Sequence, residues 1–147
     1  MKILPKIIFL IIVLVILIKA NAYSQESIWN ELNTKCTKLY QQGQYPEAQK
    51  ISEEAIEVAE TTFGKDHPNT ATSLNNLAEL YRTQGKYAEA EPLYKRALSI
   101  WEKALGENHP KVATVLENMS ALYKKMGKEA VAKVLEERAK RIRLIYQ

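Results

Sequence analysis

Between Ala71 and Thr83 the apolar and small residues fall at Ala71, Leu74, Leu77, Ala78 and Tyr81, three and four apart, which is the spacing of one helical face. The pattern resumes at Tyr87 and runs through Ala90, Leu93, Tyr94, Ala97, Leu98, Trp101 and Leu105, predicting a second amphipathic helix that ends at Gly106. Gly85 lies between the two, where closing the first helix calls for a positive φ. Pro92 stands about one turn into the second helix, near the positions that tolerate a missing N–H.

This helix pair recurs. Gly43, Gly85 and Gly127 are spaced 42 residues apart, and so are Leu39, Tyr81 and Tyr123, Leu32, Leu74 and Leu116, Ala48, Ala90 and Ala132, and Ala55, Ala97 and Ala139. Tyr45 matches Tyr87, Gly64 matches Gly106, and His67-Pro68 matches His109-Pro110 in the same register. Chance does not align so many small, aromatic and helix-breaking residues. A period of this length predicts an α-solenoid, an all-α array in which each unit buries its apolar face against its neighbours. The three units occupy about 29–68, 69–110 and 111–143, within a domain of residues 29–147. The first unit is expected to carry helices near Ser27–Gln42 and Pro46–Phe63, after a polar lead-in at 23–28.

Residues 1–22 follow another pattern. Lys2 and Lys6 precede twelve consecutive apolar residues, Ile7 to Ile18, and Ala20-Asn21-Ala22 follows. A basic start, a short apolar run and an A-x-A site read as a secretory signal peptide cut after Ala22, delivering a periplasmic or secreted protein. The alternative is an uncleaved N-terminal membrane anchor, for which twelve residues fall short of the roughly 20 that span a bilayer.

The leader also carries most of the charge imbalance. The 147-residue chain has 21 Lys+Arg against 17 Asp+Glu, and the leader takes Lys2, Lys6 and Lys19 with it, leaving 18 against 17. Nothing in that balance calls for nucleic acid, and no aromatic stacking pattern accompanies the basic residues. Those that remain cluster from Lys124 to Arg143, which reads as a solvated last helix or as a docking surface for an acidic partner or anionic lipid.

Chemistry finds no foothold. There is no glycine-rich phosphate loop, no G-x-S-x-G and no H-E-x-x-H. Cys36 is the one cysteine and aligns with Ala78 and Ser120, so it reads as a buried small residue. His67 and His109 sit one repeat apart, about 10 Å, too far to share a zinc ion, and each stands at a helix boundary before a proline. Neither an enzyme, a metal nor a cofactor is expected.

From Leu77 to Leu98 the chain reads L-A-x-L-Y-x-x-Q-G-K-Y-x-E-A-E-P-L-Y-x-R-A-L, which resembles a tetratricopeptide repeat. The 42-residue length and the closing G-x-x-H-P resemble the kinesin light chain type of that repeat. The resemblance covers roughly Trp29 to Arg143. It implies an array that binds a protein or peptide in a concave groove lined by the first helix of each unit. Carried over by register, that groove contains Asn33, Thr37 and Tyr40, then Asn75, Asn76, Glu79 and Arg82, then Asn118, Lys124 and Lys125. Asn76 and Asn118 match the asparagine that grips an extended ligand's backbone in similar arrays, and the first unit has Thr34 there. An amide suits that work because it both donates and accepts. The lysines of chaperone carboxylate clamps are replaced by Asn33 and Thr114, which favours an internal peptide or folded surface over a C-terminal carboxylate. The expected function is a non-catalytic adaptor. Its rival is a membrane-tethered or self-associating structural subunit, since nothing evident caps the first helix.

Overall fold

In the computed structural model, which describes residues 3–147, six helices follow one another: α1 (Ile3–Gln41), α2 (Tyr45–Thr62), α3 (Pro68–Thr83), α4 (Tyr87–Leu105), α5 (Pro110–Lys125) and α6 (Glu129–Ile145). They pair as α1 with α2, α3 with α4 and α5 with α6, and each pair packs on the next. The result is an all-helical solenoid. Helix bounds in the second unit fall where periodicity puts them.

The first helix differs. It was expected to begin near Ser27, but α1 runs unbroken from Ile3, and the lead-in at 23–28 is helical. No Gly or Pro interrupts the sequence from Lys6 to Gln42, so nothing stops a helix nucleated in either half from passing through. Pro92 likewise lies inside α4, and the helix continues past it. The carbonyl that loses its partner belongs to Ala88, whose exposure lets water serve instead.

Each first helix closes in the same way. Gly85 takes φ +75°, and the Lys86 N–H then reaches back to the Tyr81 carbonyl at 2.8 Å. The same bond joins Gln44 to Leu39 and Lys128 to Tyr123, so one glycine-dependent turn sets the angle of all three helix pairs.

The next unit is started by histidine. His67 and His109 hold extended backbone conformations, and each accepts, through Nδ1, the N–H two residues on, from Asn69 and Lys111, at 3.1 Å. Pro68 and Pro110 then occupy the first helical position. Both histidines are thus helix caps. Replacing His109 by Ala is expected to cost about 1 kcal/mol and replacing it by Asn only a few tenths. Thermal melts of the two variants read this directly, and coincident melts would show that His109 supplies something other than a cap.

The largest core cluster joins α3 to α6, with Tyr94, Leu74, Leu116, Val112, Val115 and Ile142 among its most buried members. Ala48, Ala90 and Ala132, with Ala55, Ala97 and Ala139, are all buried, which is what close approach of paired helices requires. The first unit is attached by two smaller clusters, one around Cys36 and Leu77 and one around Trp29, Ala55 and Ala59. On the outer wall Arg96 pairs with Glu60 at 2.6 Å, and one repeat later Arg138 pairs with Glu102 at 2.6 Å.

Candidate protein-binding groove

The first helices of the three units lie side by side, tied by a bond that repeats. Asn76 Nδ2 donates to Asn33 Oδ1 at 3.2 Å, and Asn118 Nδ2 donates to Asn75 Oδ1 at 3.0 Å. Asn33 is itself oriented by donating to the Trp29 carbonyl at 2.8 Å. The two pairs hold the same relation one repeat apart, because the first helices of the second and third units each present an asparagine to the first helix of the unit before. Thr34, which takes the ladder position in the first unit, bonds instead to the Asn30 carbonyl.

Between α1 and α3 a cleft of about 190 Å³ opens, lined by Cys36, Thr37, Tyr40, Asn75, Asn76, Glu79 and Leu80. Five of the residues expected in the groove therefore converge on one place: Thr37, Tyr40, Asn75, Asn76 and Glu79. Asn33 borders it through its bond to Asn76. The Tyr40 hydroxyl lies 3.1 Å from Thr83 Oγ1 and closes one end.

Beneath the cleft lies a charged cluster. Arg82 Nε donates to Glu79 Oε2 at 3.0 Å, and its Nη2 donates to the other carboxylate oxygen. The Tyr94 hydroxyl, on a ring that is 0% exposed, donates to Glu79 Oε2 at 2.7 Å. Burial alone would push the Glu79 carboxyl up, but hydrogen bonds from Arg82 and Tyr94 and the Arg82 charge outweigh it and hold it below its ordinary value. Burial, followed by the Glu79 charge, pushes the Tyr94 phenol up. Arg82 and Glu79 satisfy each other, so they are the floor of the groove more than free charges in it. The sequence places Tyr94 on the buried face of its helix but not at the groove, because its equivalents are Ser52 and Glu136 and leave no repeated signal at that position.

Lys124 and Lys125 stand apart from the cleft, at the end of α5. Lys124 pairs with Glu136 of α6 at 2.8 Å, beside a separate depression formed with Glu129, Ala130 and Lys133. Arg143, also from α6, grips both oxygens of Glu117 and donates to Thr114 Oγ1 at 2.9 Å. Cys36 is buried with Sγ 2.8 Å from Ser52 Oγ, and burial pushes its thiol up despite that bond. A raised thiol in a packed wall is a poor nucleophile.

Residues 33–103 and 76–144 each match the family profile described as the tetratricopeptide repeat, which together takes in most of the described chain. The chain belongs to the tetratricopeptide repeat family. Its fold is that of the kinesin light chain type. The crystal structure of BtubC (BKLC) from P. vanneervenii is similar at a TM-score of 0.74 and 27% identity, over 79% of this chain and 46% of that one. The nearly identical TPR-like repeats of a Podosopora anserina kinesin light chain give a TM-score of 0.73 at 24% identity, over 80% of this chain and 56% of that one. The chain thus spans about half the length of the solved structures it matches. No curated protein matches it. Tetratricopeptide repeats generally mediate protein–protein interaction, and the fold is typically a non-catalytic scaffold.

Proposed function

We propose that this tetratricopeptide repeat protein is an adaptor that holds an extended peptide segment along the concave face, with Asn76 and Asn118 gripping its backbone. The observation that carries the reading is the state of those two amides. Each uses one Nδ2 hydrogen on the neighbouring unit, and among the described residues its carbonyl oxygen and second hydrogen are left unengaged. One donor and one acceptor are what a peptide group needs. One repeat step of about 10 Å matches about three residues of extended chain, so the two amides would meet peptide groups about three residues apart on one strand. The cleft beside Tyr40 and Leu80 would take an apolar side chain of that strand.

The full-length chain and an Asn76→Ala/Asn118→Ala variant, both first shown to be equally helical, can be screened against one peptide array. At about 0.5 kcal/mol for each of the four backbone bonds the two amides would make, about 2 kcal/mol together, peptides that bind the parent are expected to bind the variant roughly thirty-fold more weakly. Equal binding by both would remove the concave face from the reading.

We further infer that residues 1–22 deliver the array across a membrane, as a leader or as a tether. Helix α1 suits either role: Ile3 to Ile18 continue the helix of the first unit with their large apolar side chains mostly exposed, and such a segment, if retained, would tether the array.

A further inference from the structure

The edge of the array from which α1 projects also carries the tip of α6. Trp29 bonds to Ser73, Asn33 to Asn76 and Tyr40 to Thr83, so α1 and α3 run side by side in one direction. On that offset Pro68, where α3 begins, is level with about Gln25 of α1. The Asn75–Asn118 bond repeats the relation between α3 and α5. Helix α6 runs the other way, and its Arg143 reaches Thr114 and Glu117 near the start of α5. Its last residues therefore come out beside Pro110, on the side where α1 leaves the array.

That tip is apolar and basic. Leu144, Ile145 and Tyr146 are 58%, 60% and 59% exposed, next to exposed Lys140 and Arg141. The neighbouring cations are spoken for, Arg138 by Glu102 and Arg143 by Glu117. Lys140 and Arg141 have no ion-pair partner among the described residues.

From Gln25 back to Lys19 is a rise of about 9 Å along α1. The headgroup layer is roughly 5 to 8 Å deep on each side of the hydrocarbon core. The apolar run itself makes about 18 Å of helix, well short of a core of about 30 Å. Local thinning of the bilayer and snorkelling of flanking lysines accommodate such a short segment, and both draw the edge of the array towards the headgroups.

We propose that, in the chain that keeps residues 1–22, the tip of α6 is a second membrane contact, with Leu144, Ile145 and Tyr146 in the interfacial layer and Lys140 and Arg141 on anionic phospholipid headgroups. The inference rests on the tethered reading of the N-terminal segment. Tyrosine favours the interface because its ring is apolar and its hydroxyl is wet. Two contacts joined by one rigid body act as linked sites, so a tip too weak to bind alone can stay engaged once α1 is inserted.

The test uses the full-length chain in vesicles of phosphatidylcholine with or without phosphatidylglycerol, some carrying acyl chains brominated near the headgroup. Trp29 and Trp101 are buried and provide the background. A Tyr146→Trp variant is expected to show additional quenching by the brominated lipid when phosphatidylglycerol is present. Adding Lys140→Gln and Arg141→Gln should weaken the contact roughly 25-fold, at about five-fold for each cation near an anionic surface, and remove that quenching. A chain that floats with the vesicles while its tip stays unquenched overturns the second contact and leaves the tether standing. A chain that does not float with them overturns both, and equal quenching in phosphatidylcholine alone overturns the role given to anionic headgroups.

Discussion

Replacing Trp101 by alanine is expected to lower the unfolding free energy by about 3 to 5 kcal/mol, the cost of deleting a large buried aromatic. Trp101 is 3% exposed and sits where the second and third units meet. Its indole N–H donates to the Pro68 carbonyl at 3.1 Å, and Lys111 of α5 lies over its ring at 5.6 Å. The substitution therefore removes packing from a boundary between units together with one donor to the Pro68 carbonyl, which keeps the Thr72 hydroxyl at 3.2 Å. Single domains are stable by only about 5 to 15 kcal/mol, so a large fraction of the total is at stake. Urea unfolding followed by far-ultraviolet circular dichroism measures it. In a linear array, where each unit leans on its neighbour, the variant should also unfold less cooperatively as α5 and α6 detach early. Trp101→Phe keeps most of the volume and should recover much of the loss. A cost below about 1 kcal/mol for the alanine variant would mean that the boundary is held elsewhere.

The second large effect belongs to Glu79. Glu79→Ala is expected to cost about 1 to 3 kcal/mol, chiefly because the buried Tyr94 hydroxyl loses its acceptor. Glu79→Gln keeps an acceptor for Tyr94 and removes the charge that Arg82 faces, so it should cost less. The pair also separates the pH dependence. The folded Glu79 carboxyl lies below its unfolded value, so the native state binds fewer protons than the unfolded one. Its contribution is present above the ordinary carboxylate pKa of about 4.3 and is lost as pH falls through the lower folded value. The parent should therefore lose stability on acidification more steeply than Glu79→Gln. Other carboxylates, such as Glu91, are also held low and affect both proteins alike, so the difference between them isolates Glu79. Parallel acid profiles would show that the Glu79 charge adds nothing.

Much of the fold was legible because the same physical problem is solved three times. Buried alanines, turn glycines and His-Pro boundaries recur every 42 residues, and each carries its own local reason: close helix approach, positive φ, and a cap followed by a residue that needs no N–H. The start of α1 was misjudged for the converse reason. Its two halves differ in composition, but a change in composition does not break a helix, and no breaker lies between them.

The candidate groove was legible one residue at a time, and only its assembly was not. Register put Asn33, Asn75, Asn76 and Asn118 on one face, but that they would pair across units depends on the offset of one helix against the next. The same holds for Lys124, expected in the groove and turned to Glu136 by the last helix, and for Glu79, which a buried tyrosine from another helix claims.

By itself, then, the sequence determined the helices, their pairing and the face each buries, because periodicity, glycine and proline act within a few residues along the chain. Only the tertiary structure decided which groove side chains are satisfied by one another, and that α1 and the tip of α6 leave the array at one edge. Those outcomes depend on the separation and direction of helices far apart in the chain, which stacking sets and no local pattern encodes.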